Sequence, residues 1–343
     1  MRILFVTQKL DRDDDILGFV HGWVAAFEKK FGPMTVVCLE CGDFDLPAGV
    51  SVFSLGKERG VGRWGYVKNL FSIVLRERKK YDLVFVHMNV EYVLLVGWLW
   101  RLMGKRVVLW YNHWYGDLRL WIARLFVNAL CCTSKHAYIA RFSNINFMPV
   151  GVDTDVFRSD TTIQVKPRSI IYVGRISPTK RLEVLISAVQ KLHTAGVSFT
   201  LDIYGDAQKK DLTYYNNIRM QAAQLETVGA VSFKGSISNR LVPKVINEHV
   251  ILVNLSPDGH FDKVIIEGIA CERLVLVSNT MLIKELPTMC IFKQDDVDDM
   301  ADKLRMLLDM TLEERKNVGK QMRLCVETNH SLRALVVALE KVF

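Results

Sequence analysis

The chain has 343 residues, half of them hydrophobic and 24% charged, with a formal net charge of +8. That length and composition exclude a disordered or fibrous chain and suit two domains of ordinary size, each able to bury its own core. The basic excess is local: residues 51–150 carry 15 Lys and Arg against 5 Asp and Glu, whereas residues 151–343 carry 25 against 24.

Short β-branched and apolar runs alternate with helical patterns from beginning to end. Residues 2–7 read as a strand, 16–31 as a helix, 34–39 as a strand, 64–80 as a helix, 82–87 as a strand and 91–103 as a helix. Strands at 106–111 and 128–133 enclose a helix at 118–126. This order predicts a parallel sheet covered on both faces. The segment from 150 to 166 mixes turn formers with polar residues and lacks periodicity, which marks a boundary. After it the alternation restarts, with strands at 169–173, 198–204, 230–233, 250–255 and 274–277. Helices at 181–194, 212–226, 240–248 and 263–271 lie between them. A last helix, 331–342, follows another helix with no strand after it, and is free to pack back across the first domain.

The expected fold is α/β, with two tandem Rossmann-like doubly wound domains facing across a cleft. Residues 1–155 form the first domain, 156–328 the second, and 329–343 the returning helix. Open parallel sheets bind ligands beyond the carboxyl ends of their strands. The residues that follow strands are therefore where chemistry is expected.

Gly174-Arg175 follows one strand, and Lys180 stands five residues on, where a helix begins. Gly174 permits a tight backbone, and the Arg fork and Lys point charge both suit the oxygens of one diphosphate. On spacing alone, two solvated cations flanking a turn explain the segment equally well. A second segment runs from Ser256 to Cys271, with a glycine-containing turn and a helix starting near Asp262. Glu267 sits in an apolar helical run, where a carboxylate is costly unless paired or hydrogen-bonded. A ribose diol is one natural partner, and an internal Arg is the other.

Taken together, these two segments resemble the donor-binding half of glycosyltransferase family 4. The likeness extends over essentially the whole chain, with Gly151-Val152-Asp153 at the domain junction and Tyr204-Gly205-Asp206 after a strand. It implies the GT-B fold and a retaining, metal-independent hexosyltransferase (EC 2.4) that moves a sugar from a nucleotide diphosphate donor. UDP- or GDP-sugars are the donors implied, with no further cofactor and no metal site. The acceptor is a polysaccharide, a lipid-linked glycan or a lipid. Arg175, Lys180 and Glu267 match the family's Arg, Lys and second Glu, while Gly259 replaces the first Glu. By the resemblance, the turn at Gly259, His260 and Phe261 faces the donor sugar, and Asp262 or Lys263 supplies the polar contact of the missing Glu. Gly18, Gly174 and Gly205 complete the expected donor loops. A non-catalytic nucleotide-sugar or membrane-binding protein and a nucleotide-sugar epimerase are the rival readings. No GxGxxG follows the first strand, which disfavours a dehydrogenase.

In the first half, His113 follows a strand where relatives of this kind place a polar residue beside the transferring sugar, and is expected to be catalytic. His87 and Asn89, also after a strand, are expected on the acceptor side. The Asp13–Asp15 run reads as a solvated loop. Arg63, Lys68, Arg76, Arg78, Lys79 and Lys80 interleave with Trp64, Tyr66, Val67, Leu70, Phe71, Val74 and Leu75 at helical spacing. Such a cationic amphipathic helix at 63–80 suits peripheral contact with an anionic membrane, or an apolar face that is plain domain core. No zinc-finger, helix-turn-helix or RNA-binding signature accompanies the charge, so no nucleic-acid partner is expected. Seven scattered cysteines without a framework fit a reducing compartment. The early charges of the N-terminus and the shortness of the apolar run at 92–100 argue against a signal peptide and a membrane span. The expected location is the cytoplasm, at most on the inner face of the cell membrane.

Overall fold

The computed structural model describes residues 1–257, 262–279 and 286–343. It divides into two compact units, one of Met1–Gly151 with Leu332–Phe343, the other of Val152–Ser331.

The first unit is built on seven parallel strands: β1 (Ile3–Leu10), β2 (Met34–Cys41), β3 (Val50–Ser54), β4 (Leu83–His87), β5 (Arg106–Trp110), β6 (Ala129–Cys132) and β7 (Ile145–Phe147). Their order in the sheet is β3-β2-β1-β4-β5-β6-β7, so the direction of winding switches between β1 and β4. Side chains alternate between the faces, as the two-residue period demands. Leu4 and Val6 enter one core with α2 (Arg63–Arg76), α3 (Val90–Leu102) and α4 (Leu118–Arg124). Ile3 and Phe5 enter the other with α1 (Phe19–Phe31). Burial on both faces is why these strands read as unbroken apolar runs.

Among the described residues the second unit has five parallel strands: β8 (Ser169–Val173), β9 (Thr200–Tyr204), β10 (Val231–Gly235), β11 (Ile251–Asn254) and β12 (Leu274–Val277). Their order is β10-β9-β8-β11-β12, with the switch at β8. Its helices are α5 (Leu182–Thr194), α6 (Leu212–Thr227), α7 (Val242–Asn247), α8 (Lys263–Ala270), α9 (Val297–Asp309) and α10 (Leu312–Asn329).

The last helix, α11 (Leu332–Glu340), buries Leu332, Leu335, Val336 and Leu339 in the first unit's core beside Trp23 and Phe27. Gly151 lies under it in the left-handed region (φ 73), and a Cβ there would stand 2.4 Å from the Leu335 side chain. The Trp23 indole donates to the Gly151 carbonyl at 2.8 Å.

Several boundaries differ from the sequence expectation. Helix α1 begins at Phe19 rather than 16, because one carboxylate oxygen of Asp14 accepts the amides of Ile16 and Leu17 and holds them in a turn. Strands β3 and β7 were not anticipated; both are sheet edges, and the half-exposed pattern of β3 leaves no continuous apolar run. Among the described residues no helix is long and apolar enough to cross a membrane.

Candidate functional site

In the second unit the loops after β8, β9 and β10 are knitted together at the carboxyl ends of their strands. The Gly174 amide donates to the Tyr204 carbonyl at 3.0 Å and the Gly205 amide to Gly235 at 2.8 Å. The Ile176 amide reaches Asp206 at 3.0 Å. Gly205 has φ 135, and a Cβ there would lie 1.9 Å from the Gly174 carbonyl oxygen. Only glycine allows the two backbones to approach so closely. Gly205→Ala is therefore expected to push the Gly174-Arg175 loop outward and cost about 1–3 kcal/mol of stability, as measured by thermal unfolding.

Arg175, at the tip of the β8 loop, is exposed, and its carbonyl accepts the buried Tyr172 hydroxyl at 3.0 Å. Lys180 closes the short 3-10 turn Pro178–Lys180. Its ammonium donates to the Ser256 hydroxyl at 2.9 Å and pairs with Asp262. The same Asp262 oxygen accepts the Asn254 amide at 2.8 Å and the Ser256 hydroxyl. Asp262 occupies the N-cap position of α8 without capping it, since its carboxylate is committed to these three donors. Burial would raise the Asp262 pKa, but the Lys180 charge and the hydrogen bonds outweigh it and hold the group below the usual carboxylate range.

One turn further along α8, Glu267 is 5% exposed. Burial pushes its carboxyl up to about 7, although the neighbouring Lys263 opposes this. The same burial brings Lys263 down to about 7. The structure thus gathers Lys180, Asp262, Lys263 and Glu267 with the polar strand ends Asn254 and Ser256. Gly259, His260 and Phe261 lie outside the described residues. Asn254, 2% exposed, was not anticipated from sequence, although a polar residue closing the apolar run Ile251–Asn254 is the signal that marks it.

The first unit has its own concavity of about 350 Å³, beyond the ends of β4 and β5. Asn89, Glu91, Tyr111, His113, Asp117 and Arg119 line it. His113 accepts the Tyr115 amide on Nδ1 at 3.1 Å, which leaves Nε2 as the ring's donor. Asn89 stands at the N-cap of α3. His87, expected beside them, is 4% exposed and packs instead among Phe5, Phe19 and Trp23, with Nδ1 3.3 Å from the Thr7 hydroxyl. As the last residue of β4 its side chain falls on the α1 face of the sheet and belongs to the core. Gly18 caps α1 in a helical conformation, its amide donating to the Asp14 carbonyl at 3.1 Å. Asp11 and Asp14 are both engaged by Lys9, at 3.3 and 2.7 Å. Among the described residues no group of three or more His, Cys, Asp or Glu is arranged to hold a metal ion.

Residues 153–324 match the model of the family described as glycosyl transferases group 1. No curated protein sequence matches the chain. Among solved structures, the sucrose-phosphate synthase of Thermosynechococcus elongatus is similar, with a TM-score of 0.79 at 16% identity over 99% of this chain and 98% of that one. Anabaena HepE, determined in complex with UDP and glucose, gives a TM-score of 0.78 at 14% identity over 99% and 98%. TarM of S. aureus, determined with UDP among its ligands, gives 0.75 at 10% identity over 99% of both chains. At these identities the likeness is one of fold.

Proposed function

The chain belongs to the group 1 glycosyltransferases, and from that premise we propose that it is a retaining, metal-independent hexosyltransferase of the family 4 kind that uses a UDP-sugar. The observation that carries this reading is the polar cluster beyond β8 and β11, where Lys180, Asp262 and Glu267 converge inside the matched segment. Glu267 accepts hydrogen bonds from the ribose diol. Arg175 and Lys180 neutralise the charge that grows on the departing diphosphate, so positioning and electrostatic stabilisation supply most of the rate. Lys180 must exchange the Asp262 carboxylate for the phosphate oxygens when donor arrives. His113 and Asn89 act on the acceptor side. UDP is favoured over GDP because HepE and TarM were both determined with UDP. The seven cysteines are free thiols, which supports a reducing, cytoplasmic setting.

Thermal unfolding with UDP, GDP and ADP, followed by release of free sugar from the corresponding nucleotide sugars, tests the proposal. UDP should raise the melting temperature most, and UDP-sugar should be hydrolysed slowly. Stabilisation without any hydrolysis or transfer would identify a binder, and conversion of the donor to another nucleotide sugar would identify an epimerase. Because Arg175 and Lys180 provide the positive charge, turnover is expected to survive excess EDTA unchanged; a loss restored by a divalent cation would refute metal independence.

A further inference from the structure

We propose that a cavity at the amino ends of β8, β11 and β12 is a second ligand site of the chain, and that it takes a small organic phosphate, an anionic group carried on an apolar body. It lies at the opposite edge of the sheet from Lys180, Asp262 and Glu267, and it does not rest on the sugar-transfer reading.

The cavity has a volume of about 570 Å³, inside the range of about 300–1,000 Å³ usual for small-molecule sites. Pro167 stands two residues before β8, Val250 directly before β11, and Leu274 opens β12. The three strands are parallel, so their amino ends share one edge of the sheet. The five residues of β8 put about 17 Å between that edge and the other. Ile163, Val165, Val250, Leu274 and Leu312 give the cavity an apolar lining.

Four cations, Arg273, Arg315, Lys316 and Lys320, line it against two acids, Asp160 and Glu272. Helix α10 supplies three of the four. Leu312, Arg315, Lys316, Gly319 and Lys320 fall at i, i+3, i+4, i+7 and i+8, one stripe of that helix. A stripe that only docked the helix would be apolar, whereas this one is cationic. Gly319 brings it against the turn after α8, where a Cβ would stand 2.4 Å from the Glu272 carbonyl oxygen. Glu272 holds the left-handed conformation (φ 57). Its amide and that of Arg273 donate back to Ile269 and Gly268 at 2.9 and 3.1 Å, the paired bonds that close a helix end. Arg273 is thereby fixed beside the α10 stripe.

The state of the arginines points to a ligand. Arg273 donates from Nη2 to the Asn247 side-chain oxygen at 2.8 Å, but its Nε is buried and meets no acceptor among the described residues. Arg315 donates from Nε to the Met310 carbonyl at 2.8 Å, again a neutral acceptor. Burial lowers the pKa of both, and the charge of Arg168 adds to the effect at Arg315. One oxygen of Asp160 is taken by the amide and hydroxyl of Thr162, at 2.9 and 2.7 Å. Solvation accounts for the exposed Lys316 and Lys320 by themselves. It does not account for a buried guanidinium edge without an acceptor, which is costly until an anion meets it. The planar fork of arginine suits phosphate oxygens, and the apolar lining suits the body that carries them.

Phenyl phosphate, a phosphate on one apolar ring, is the probe. Titration calorimetry should show one site per chain, unaffected by excess UDP. Phenol, which lacks the charge, and inorganic phosphate, which lacks the ring, should each bind about tenfold or more weakly. Lys316→Gln/Lys320→Gln should weaken phenyl phosphate about tenfold and leave the melting temperature and UDP affinity unchanged. No binding by the wild type, or equal binding by wild type and variant, overturns the site. Displacement of the probe by UDP puts it in the donor cluster and overturns the site as well. Equal affinity for inorganic phosphate overturns the apolar body, and equal affinity for phenol overturns the anion. If UDP itself does not bind, the donor reading fails, while the variant and the two comparison ligands still decide this site.

Discussion

Lys180→Ala is expected to slow sugar transfer ~10²-fold or more, on the scale of removing one preorganised charge donor from a transition state. The substitution has a second consequence, because Lys180 is the counter-charge of Asp262 in a site where the two side chains are only 15% and 23% exposed. Stranding that carboxylate should cost about 3 kcal/mol of stability, leaving only Ser256 and Asn254 to hold it. The two effects separate in Lys180→Ala/Asp262→Asn, which should regain most of the lost stability and none of the lost turnover. Wild-type kcat in either variant would remove Lys180 from the chemistry. The pH dependence has a definite sign. The folded Asp262 pKa lies below its ordinary value, so the stability it contributes is complete above about pH 4 and lost as the pH falls through the lower folded value. Asp262→Asn should therefore flatten the acid limb of the melting curve.

Glu267→Gln is expected to weaken UDP binding about tenfold or more, by leaving a single acceptor oxygen where a carboxylate can accept from both hydroxyls of the ribose. Titration calorimetry measures it directly, and unchanged affinity would move the ribose elsewhere. Stability reports independently. Burial raises the Glu267 carboxyl to about 7, so its contribution is full below its ordinary value of 4.5 and declines as the pH rises through about 7. In Glu267→Gln the fall between about pH 5 and 7 should vanish.

The parallel sheets were legible because their strands are buried on both faces; Leu83–His87 and Leu274–Val277 are uniformly buried and almost uniformly apolar. Edge strands carry a weaker imprint, and β3, with one exposed and four half-exposed residues, left none. Helix α9 was not named either, since its opening Val297-Asp298-Asp299 looks like a solvated loop; Asp296 accepts the Asp299 amide and caps it. At the site, Arg175, Lys180 and Glu267 were visible as charges placed just after, or inside, apolar runs. Their pairings were not, because spacing does not say which of several acids meets a given cation. The helix at 63–80 shows the same limit. Periodicity identified residues sharing a side of α2, but only packing shows that Leu70 and Val74 are interior while Trp64 is bare.

The return of α11 has a consequence for biosynthesis. Residues 1–151 leave the ribosome well before residues 332–343, which supply the floor beneath Trp23, Phe27 and Phe85. The nascent first unit must therefore wait, with aromatic surface open to chaperones, while all 180 residues of Val152–Ser331 are translated and begin to collapse on their own. Translation, rather than the intrinsic speed of packing, sets when the earlier-made half becomes complete.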